Sequence, residues 1–268
     1  MDANGKLELL ATQMHLEPAE DADARAIPLQ MAPLKPDQNT ATLPCGQIAH
    51  SPGGPVASRA GLQAKRKSLG ITEAVMPGGK RITLLKTMIT SACERNCYYC
   101  PFRAGRNYRR ETFKPEELAK TFMDMYRAGL VEGMFLSSGI IGGGIATQDK
   151  LIATAEILRN KLRFRGYLHL KIMPGAERDQ VRRSMELASR VSVNLEGPND
   201  KRLALLAPKN IFLQELMQPL KWVEEIRKTE QPLGAWNGRW PSSTTQDVLG
   251  AADDTELDLL TTSGYLLR

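Results

Sequence analysis

The sequence predicts an α/β protein: a partial (β/α) TIM-like barrel of about five βα units, preceded by an irregular N-terminal arm. From Ile82 onward, short apolar runs alternate with longer helical patterns. This alternation is typical of parallel strands joined by right-handed crossovers. Polar residues also follow several of these runs, and barrels place their chemistry at the carboxyl ends of strands.

The arm is predicted from its proline spacing. Prolines recur at positions 28, 33, 36, 44, 52 and 55, among alanine, glycine and glutamine. Such a composition indicates an irregular arm or linker. Before these prolines, the spacing of Leu7, Leu9, Leu10 and Met14 predicts one short amphipathic helix. We therefore divide the chain into an N-terminal extension, residues 1–75, and a core domain, residues 76–268.

Strands and helices alternate regularly through the core domain. Strands are predicted at 82–90, 134–138, 167–173, 191–196 and 244–249. Helices are predicted at 115–128, 148–162, 177–188, 201–206, 211–228 and 255–267. Pro115 suits a first helical turn, and Thr147 is the expected N-cap of the second helix. No G-x-G-x-x-G motif follows the first strand, which weighs against a dinucleotide-binding fold.

The composition is that of a soluble globular protein, with 42% hydrophobic and 25% charged residues. No apolar run reaches the roughly 18 residues of a membrane span, and the N-terminus lacks an apolar signal core. We expect a cytoplasmic protein with no membrane partner. The net charge of +6 permits an anionic partner without requiring one.

Three of the four cysteines lie within eight positions, directly after the first predicted strand, as Cys93-x3-Cys97-x2-Cys100. In a reducing compartment such clustering indicates a metal site rather than a disulfide scaffold. Three unrelated buried cysteines are one alternative. A zinc site is another, with Cys45 or His50 as a distant fourth ligand. An iron–sulfur cluster is the third.

The spacing favours the cluster. A ferredoxin-type run carries a fourth cysteine, whereas here only Pro101 follows the third one. Three thiolates on a cubane with four irons leave one iron without a protein ligand. An open metal position suits a catalytic site. The amine and carboxylate of an amino acid can chelate such an iron.

The C-x3-C-x2-C motif after the first strand, with the aromatic Tyr99 before its last cysteine, resembles the radical S-adenosylmethionine (radical SAM) enzymes. The resemblance implies a 4Fe-4S cluster on Cys93, Cys97 and Cys100 and S-adenosylmethionine as cofactor. It implies reductive cleavage of the cofactor to a 5′-deoxyadenosyl radical that abstracts hydrogen from a substrate. An electron donor such as a flavodoxin or ferredoxin is implied as well.

The resemblance extends over LLKTMITSACERNCYYCPFRAGRN, FLSSGIIGGG, HLKIMPGA and VNLEGPN. These stretches resemble a radical SAM subgroup named for DNA modification or repair, whose members carry a C-terminal helix-hairpin-helix segment. That segment is absent here, so we interpret the chain as C-terminally shortened. The substrate implied is a nucleic acid or another anion. The alternative is an inactive relative that acts as a metal-supported nucleic-acid-binding protein.

The resemblance assigns the methionine part of the cofactor to the exit of the second strand. Ser137, Ser138 and Gly139 stand where the family has a Gly-Gly-Glu-like turn, so hydroxyls and carbonyls replace a carboxylate. On the third strand, Lys171 shares a face with His169 and can reach a carboxylate or substrate. The alternative for His169 is a core position, since a lone histidine on a strand is more often a core residue than a functional one.

The nucleoside part is assigned to the last two strands. Asn194 and Glu196 share one face of the fourth strand, where the family contacts ribose. Val248 and Gly250 lie in a stretch that aligns with the family's G-x-I-x-G-x-x-E segment near adenine. Asp247 departs from the apolar residue expected in a buried parallel strand.

Two further groups have two interpretations each. Four arginines follow the cysteines and either attract an anionic substrate or form a solvated basic loop: Arg103, Arg106, Arg109 and Arg110. Trp236 and Trp240 precede the fifth strand and either stack on a base or pack over the barrel.

Overall fold

The computed structural model describes residues 2–14, 66, 68–76 and 79–266. Within these residues the strands form one curled six-stranded sheet in the order β1-β2-β3-β4-β5-β6. The strands are Ile71–Val75, Arg81–Met88, Gly133–Ser137, Tyr167–Lys171, Arg190–Glu196 and Ser242–Asp247. Strand β1 is antiparallel to β2, whereas β2 through β6 are all parallel. The half-barrel confirms the predicted fold class.

Helices lie between the parallel strands, and one further helix stands at each end of the described chain. In chain order they are α1 Ala3–Met14, α2 Pro115–Arg127, α3 Gly143–Glu156, α4 Arg178–Leu187, α5 Asp200–Leu206, α6 Gln218–Thr229 and α7 Glu256–Leu266. Two π-helical segments, Ile157–Lys161 and Phe212–Met217, continue α3 and precede α6. Helix α2 packs on α3, α3 on α4, and α4 on α6. They cover the convex face of the sheet.

Local sequence explains where these helices begin. Pro115 occupies the first turn of α2, and the Glu117 carboxylate accepts a hydrogen bond from the Lys114 amide at 3.3 Å. The prediction for α3 was wrong, because the helix begins at Gly143 and not after Thr147. Gly142 has a φ of 73°, so the glycine run turns directly into the helix.

The two faces of the sheet differ in chemistry. Leu168, Leu170, Val191 and Val193 pack in the main core with residues of the covering helices. Because side chains alternate along a strand, the intervening positions face the concave side. That side carries polar and aromatic residues on β2 to β5: Lys86, Phe135, His169, Lys171, Ser192 and Asn194.

Three features differ from the sequence prediction or fall outside it. Strand β1 was not predicted, and β6 begins two residues earlier than expected. Cys45 and His50 lie outside the described residues.

Helix α1 packs against β2 and α2. No helix among the described residues is long and apolar enough to cross a membrane.

Candidate functional site

The cysteine loop, residues 91–114, follows β2 after two residues, and contacts between its first and last residues close it. Thr90 and Thr112 form an antiparallel bridge, and their hydroxyls lie 2.7 Å apart. The Ser91 amide donates to the Glu111 carbonyl at 3.0 Å, and the Ser91 hydroxyl accepts from the Glu111 amide at 3.0 Å. The loop therefore starts and ends at one edge of the sheet, at the carboxyl ends of the strands.

The Arg110 side chain forms hydrogen bonds with backbone carbonyls inside this loop. Its guanidinium donates to the carbonyls of Ser91 and Phe102, both at 2.7 Å, and of Arg103 at 3.0 Å. Arg106 contributes a further carbonyl at 3.3 Å. The Arg110 guanidinium therefore donates to four backbone carbonyls and stabilises the conformation of the loop.

The other loop arginines have local contacts too. Arg103 donates to the Tyr98 carbonyl and lies over the Tyr98 ring. Arg109 pairs with Glu111 at 3.0 Å, and Arg106 lies over Tyr108. These contacts favour the local, structural interpretation of the arginine group over attraction of a substrate.

The three cysteines are half-buried, and two of their sulfurs accept hydrogen bonds. The Ile140 amide lies 3.4 Å from Cys93 Sγ, and Asn210 Nδ2 lies 3.8 Å from Cys97 Sγ. Burial, and next the charge of Glu196, raise the pKa of Cys97 to about 11. Without a metal this thiol stays protonated, so a thiolate here needs positive charge such as iron supplies.

The spacing of the thiols bears on the kind of metal. Among the described residues, no three Cys, His, Asp or Glu side chains lie close enough together to hold one metal ion. A structural zinc ion needs four ligands converging at about 2.0–2.3 Å. A cubane cluster spreads its thiolates because each binds a different iron. The zinc alternative also calls on Cys45 or His50, which lie outside the described residues.

The β3 exit lies against the cysteine loop. Ser137 and Ser138 are buried, and the Ser138 hydroxyl donates to the Gly139 carbonyl at 2.7 Å. The Gly139 amide donates to the Thr90 carbonyl at 2.7 Å. A Cβ on Gly139 would lie 2.3 Å from the Ala92 carbonyl oxygen, so only glycine permits this contact.

A carboxylate approaches this exit from the cysteine loop. Glu94 binds the Ile140 carbonyl through its amide at 2.7 Å. Its carboxylate accepts from the Gly142 and Gly143 amides, each at 3.1 Å, at the start of α3. Sequence reasoning missed Glu94, because its contacts span almost fifty residues.

Tyr99, Asn194 and Glu196 come together at the end of β5. Asn194 Nδ2 donates to Glu196 Oε1 at 3.1 Å and to Gln246 Oε1 at 3.3 Å. Tyr99 is hydrogen-bonded to Glu196, and burial followed by that carboxylate raises the pKa of Tyr99 far above its usual range. Its hydroxyl is therefore a donor. Tyr99 as a whole residue remains 39% exposed.

Glu196 adopts an unusual backbone conformation. Its φ is 66°, in the left-handed region, and the β5–β6 register shifts between Asn194 and Glu196. Such a bulge re-aims a side chain at a local energetic cost, and strained residues of this kind cluster at functional sites. This backbone strain distinguishes Glu196 from Asn194 and supports a functional role for its side chain.

Lys171 and His169 lie on the concave face of β4, as their spacing predicted, and both are buried. The His169 ring contacts Phe135 edge-on with centroids 4.8 Å apart. Burial, with a smaller effect of Lys171, lowers the pKa of His169 to about 3. Lys86 on β2 shares this face and is 2% exposed. Sequence reasoning missed Lys86, although a lysine inside an otherwise apolar strand could have indicated it.

Val248 and Gly250 lie beyond the end of β6. The Val248 amide donates to the Glu196 carbonyl at 3.0 Å, which continues the pairing with β5. Gly250 has a φ of 75° and is exposed, and its amide binds the Asp254 carboxylate. Burial, and next Asp254, raise the pKa of Asp247.

Both tryptophans have packing roles. Trp236 Nε1 donates to the Ala188 carbonyl at 3.0 Å, and its ring lies 3.9 Å from the Arg159 guanidinium. Trp240 Nε1 donates to the Glu230 carbonyl at 3.1 Å. These contacts favour the packing interpretation of the two side chains.

A comparison with protein families shows which family the chain belongs to. The family described as the radical SAM superfamily matches residues 87–229, more than half of the chain. The chain belongs to the radical SAM superfamily. A comparison with curated proteins found no match.

Three solved structures resemble this chain over part of their length. The FeFe-hydrogenase maturase HydG from Carboxydothermus hydrogenoformans is 15% identical, with a TM-score of 0.45, covering 69% of this chain and 50% of its own. A second HydG structure has 12% identity, a TM-score of 0.50 and coverages of 68% and 38%. Methylornithine synthase PylB has 14% identity, a TM-score of 0.50 and coverages of 78% and 57%. The last two share the partial-barrel fold.

This radical SAM chain spans about half the length of the solved structures it resembles. Superfamily members bind a 4Fe-4S cluster and S-adenosylmethionine, and Cys93, Cys97 and Cys100 are present here. The thiols fit such a cluster by number and placement, and by the N–H groups directed at two of the sulfurs.

Proposed function

We propose that Cys93, Cys97 and Cys100 hold a 4Fe-4S cluster and that the chain cleaves S-adenosylmethionine reductively. The observation that carries the proposal is one loop that presents three half-buried thiols, two of them hydrogen-bonded by N–H donors. When bound, the cluster supplies one electron, which breaks the S–C5′ bond of the cofactor. The chain positions the reactants and excludes water.

We assign the cofactor along the carboxyl edge of the sheet. The methionine part is assigned to Ser137, Ser138 and Gly139, beside the Glu94 carboxylate that approaches the β3 exit. The remaining contacts are assigned to residues on the loop and on β4 to β6: Tyr99, Lys171, Asn194, Glu196, Val248 and Gly250. The hydrogen-bonded group of Asn194 and Glu196 supports the ribose assignment.

The test is anaerobic reconstitution of the full chain with iron and sulfide. We expect about four irons per chain and 5′-deoxyadenosine on reduction with S-adenosylmethionine. Cys97→Ala should lose both, whereas Cys45→Ala should keep both. One equivalent of zinc without sulfide, or a full cluster in Cys97→Ala, would contradict the proposal.

We infer that the substrate is anionic. Lys86, Lys171 and Arg190 all lie at concave positions of the sheet, on β2, β4 and β5. Lys86 and Lys171 are buried. Cationic side chains on one concave wall attract phosphate or carboxylate groups. Each of the three also has an interaction within the protein, which an anionic substrate would share.

Anion selectivity can be measured through cofactor turnover. Single-stranded DNA, nucleoside monophosphates and neutral nucleosides are added, and 5′-deoxyadenosine formation is compared. We expect stimulation only by the anionic compounds, and a loss of that stimulation in Lys86→Met. Lys120→Met, at an exposed helix position, is the matched control. Equal stimulation by neutral nucleosides would argue against the inference.

The DNA modification or repair subgroup is the finer proposal. It rests on the four sequence stretches around the cysteines and strand ends. Stimulation by DNA but not by mononucleotides supports it, and the reverse opposes it. An acidic flavodoxin or ferredoxin is the proposed electron donor, and reduction of the cluster by either protein tests this.

A further inference from the structure

The side chain of Asn210 has a fixed orientation beside Cys97. Asn210 Oδ1 accepts a hydrogen bond from Arg95 Nη1 at 3.4 Å. Because an arginine can only donate, the amide oxygen faces Arg95, and the amide nitrogen faces the sulfur. Asn210 Nδ2 lies 3.8 Å from Cys97 Sγ. The asparagine is therefore a donor to this thiol.

A mostly buried ion pair holds this arrangement. Arg95 donates to both carboxylate oxygens of Glu215, at 2.6 and 3.1 Å, and each side chain is 15% exposed. Glu215 also accepts the Ile211 amide at 2.9 Å, at the start of the π-helical segment. Bidentate pairs of this kind are directional. The pair thus fixes Arg95, which in turn fixes Asn210.

The chain before Asn210 binds the cysteine loop as well. The Tyr98 amide donates to the Leu206 carbonyl at 2.8 Å. Lys209 Nζ donates to the Glu94 carbonyl at 3.2 Å. Contacts therefore join residues 206–215 to both sides of Cys97, and Asn210 stands at their centre.

We propose that Asn210 is a positioning residue that sets the reduction potential of the cluster through its N–H group on the Cys97 thiolate. This inference rests on the proposed function, because it presupposes the cluster. Reduction adds negative charge to the cluster and its thiolates. An N–H donor stabilises that charge, and hydrogen bonds to sulfur are known determinants of cluster potential.

Two variants test the inference. Asn210→Asp keeps the shape and the acceptor for Arg95 but removes the donor, and Asn210→Ala removes both. We expect the cluster midpoint potential to shift to more negative values in both, in a redox titration followed by electron paramagnetic resonance. Asn107→Ala, an exposed asparagine of the same loop, should keep the wild-type potential. Because Asn210→Asp also adds a negative charge beside the cluster, Asn210→Ala is the deciding variant. A wild-type potential in Asn210→Ala would overturn the inference.

The outcomes separate this inference from the proposed function. A wild-type chain that binds no iron and sulfide refutes the function itself. If Asn210→Ala and Asn210→Asp fail to hold iron, Asn210→Gln, which restores an amide donor, becomes the deciding variant. Iron retained in Asn210→Gln supports a donor role. Iron lost equally in all three variants would count against it.

Discussion

At the residue scale, Gly139 determines how closely the β3 exit approaches the cysteine loop. Its amide binds the Thr90 carbonyl, and a Cβ would lie 2.3 Å from Ala92 O and 3.1 Å from Thr90 O. Both neighbours are backbone atoms within the three residues that precede Cys93. A side chain at this position must therefore displace the start of the cysteine loop.

Gly139→Ala should destabilise the protein by about 2 kcal/mol, because overpacking against backbone costs about 1–3 kcal/mol. Iron loading should fall with it. Gly264→Ala is the control, since a Cβ there meets open space in an exposed helix. That change should be neutral or slightly stabilising. Equal stability of the two variants in urea unfolding would show that the loop can adjust.

His169 makes stability depend on pH. Its pKa is lowered to about 3 by burial first and then by Lys171, against about 6.5 when unfolded. A base with a depressed folded pKa contributes stability that is present above pH 6.5 and lost as pH falls toward 3. Between pH 7 and pH 5 the metal-free chain should lose about 2 kcal/mol from this group.

The measurement is urea unfolding of wild type and His169→Gln at both pH values. The variant should lack that part of the pH dependence, whatever its stability at pH 7. The half-buried Asp247 has the opposite sign, because its pKa is raised. Identical pH slopes for wild type and His169→Gln would refute the assignment.

At the element scale, the cysteine loop depends on one cation for its internal structure. The four carbonyls that Arg110 binds span residues 91–106, which include all three cysteines. A segment without regular secondary structure leaves its carbonyls without ladder partners. A guanidinium with five donors satisfies several of them at once.

Arg110→Met should therefore cost about 2–3 kcal/mol and sharply reduce iron loading, since hydrogen bonds to charged groups contribute about 1.5–3 kcal/mol. Arg106→Met is the matched control, because Arg106 is exposed and its guanidinium contacts only the Tyr108 ring among the described interactions. Iron content after reconstitution and thermal unfolding measure both effects. Undiminished iron in Arg110→Met would contradict this role.

The elements differed in how far the sequence predicted them. Strands β2 to β5 were predicted within a few residues, because buried parallel strands are continuous apolar runs. Strand β6 was displaced because Ser242–Asp247 is polar and lies at the sheet edge, whereas the apolar signal comes at Val248 and Leu249. Strand β1 was not predicted because it has only five residues and depends on a tertiary contact, its pairing with β2.

The functional site was also predicted only in part. Cysteine spacing is local, so the thiols could be predicted directly. The partners of those thiols come from Ile140 and Asn210, 47 and 113 positions away. No local pattern predicts such contacts. The role of Arg110 was missed because a basic loop reads as solvent-exposed until its carbonyl partners are known.

At the scale of the whole molecule, α1 joins the N-terminal residues to the sheet. Leu7 and Leu10 are 1% exposed in the main core. Lys6 Nζ binds both oxygens of Glu117 at 2.8 Å and the Thr112 carbonyl at 3.1 Å, next to the base of the cysteine loop. Helix α1 thus contacts the elements on both sides of that loop. We propose 76–268 as the core domain, with α1 and β1 packed onto it.

Leu10→Ala should lower the free energy of unfolding by about 3 kcal/mol, because truncating a buried leucine leaves a cavity. Leu257→Ala is the control, since Leu257 is 73% exposed and should cost little. If α1 belongs to the same cooperative unit, the Leu10→Ala loss appears in the single unfolding transition of the chain. A loss confined to faster proteolysis near residue 14, with an unchanged main transition, would instead show that α1 detaches independently.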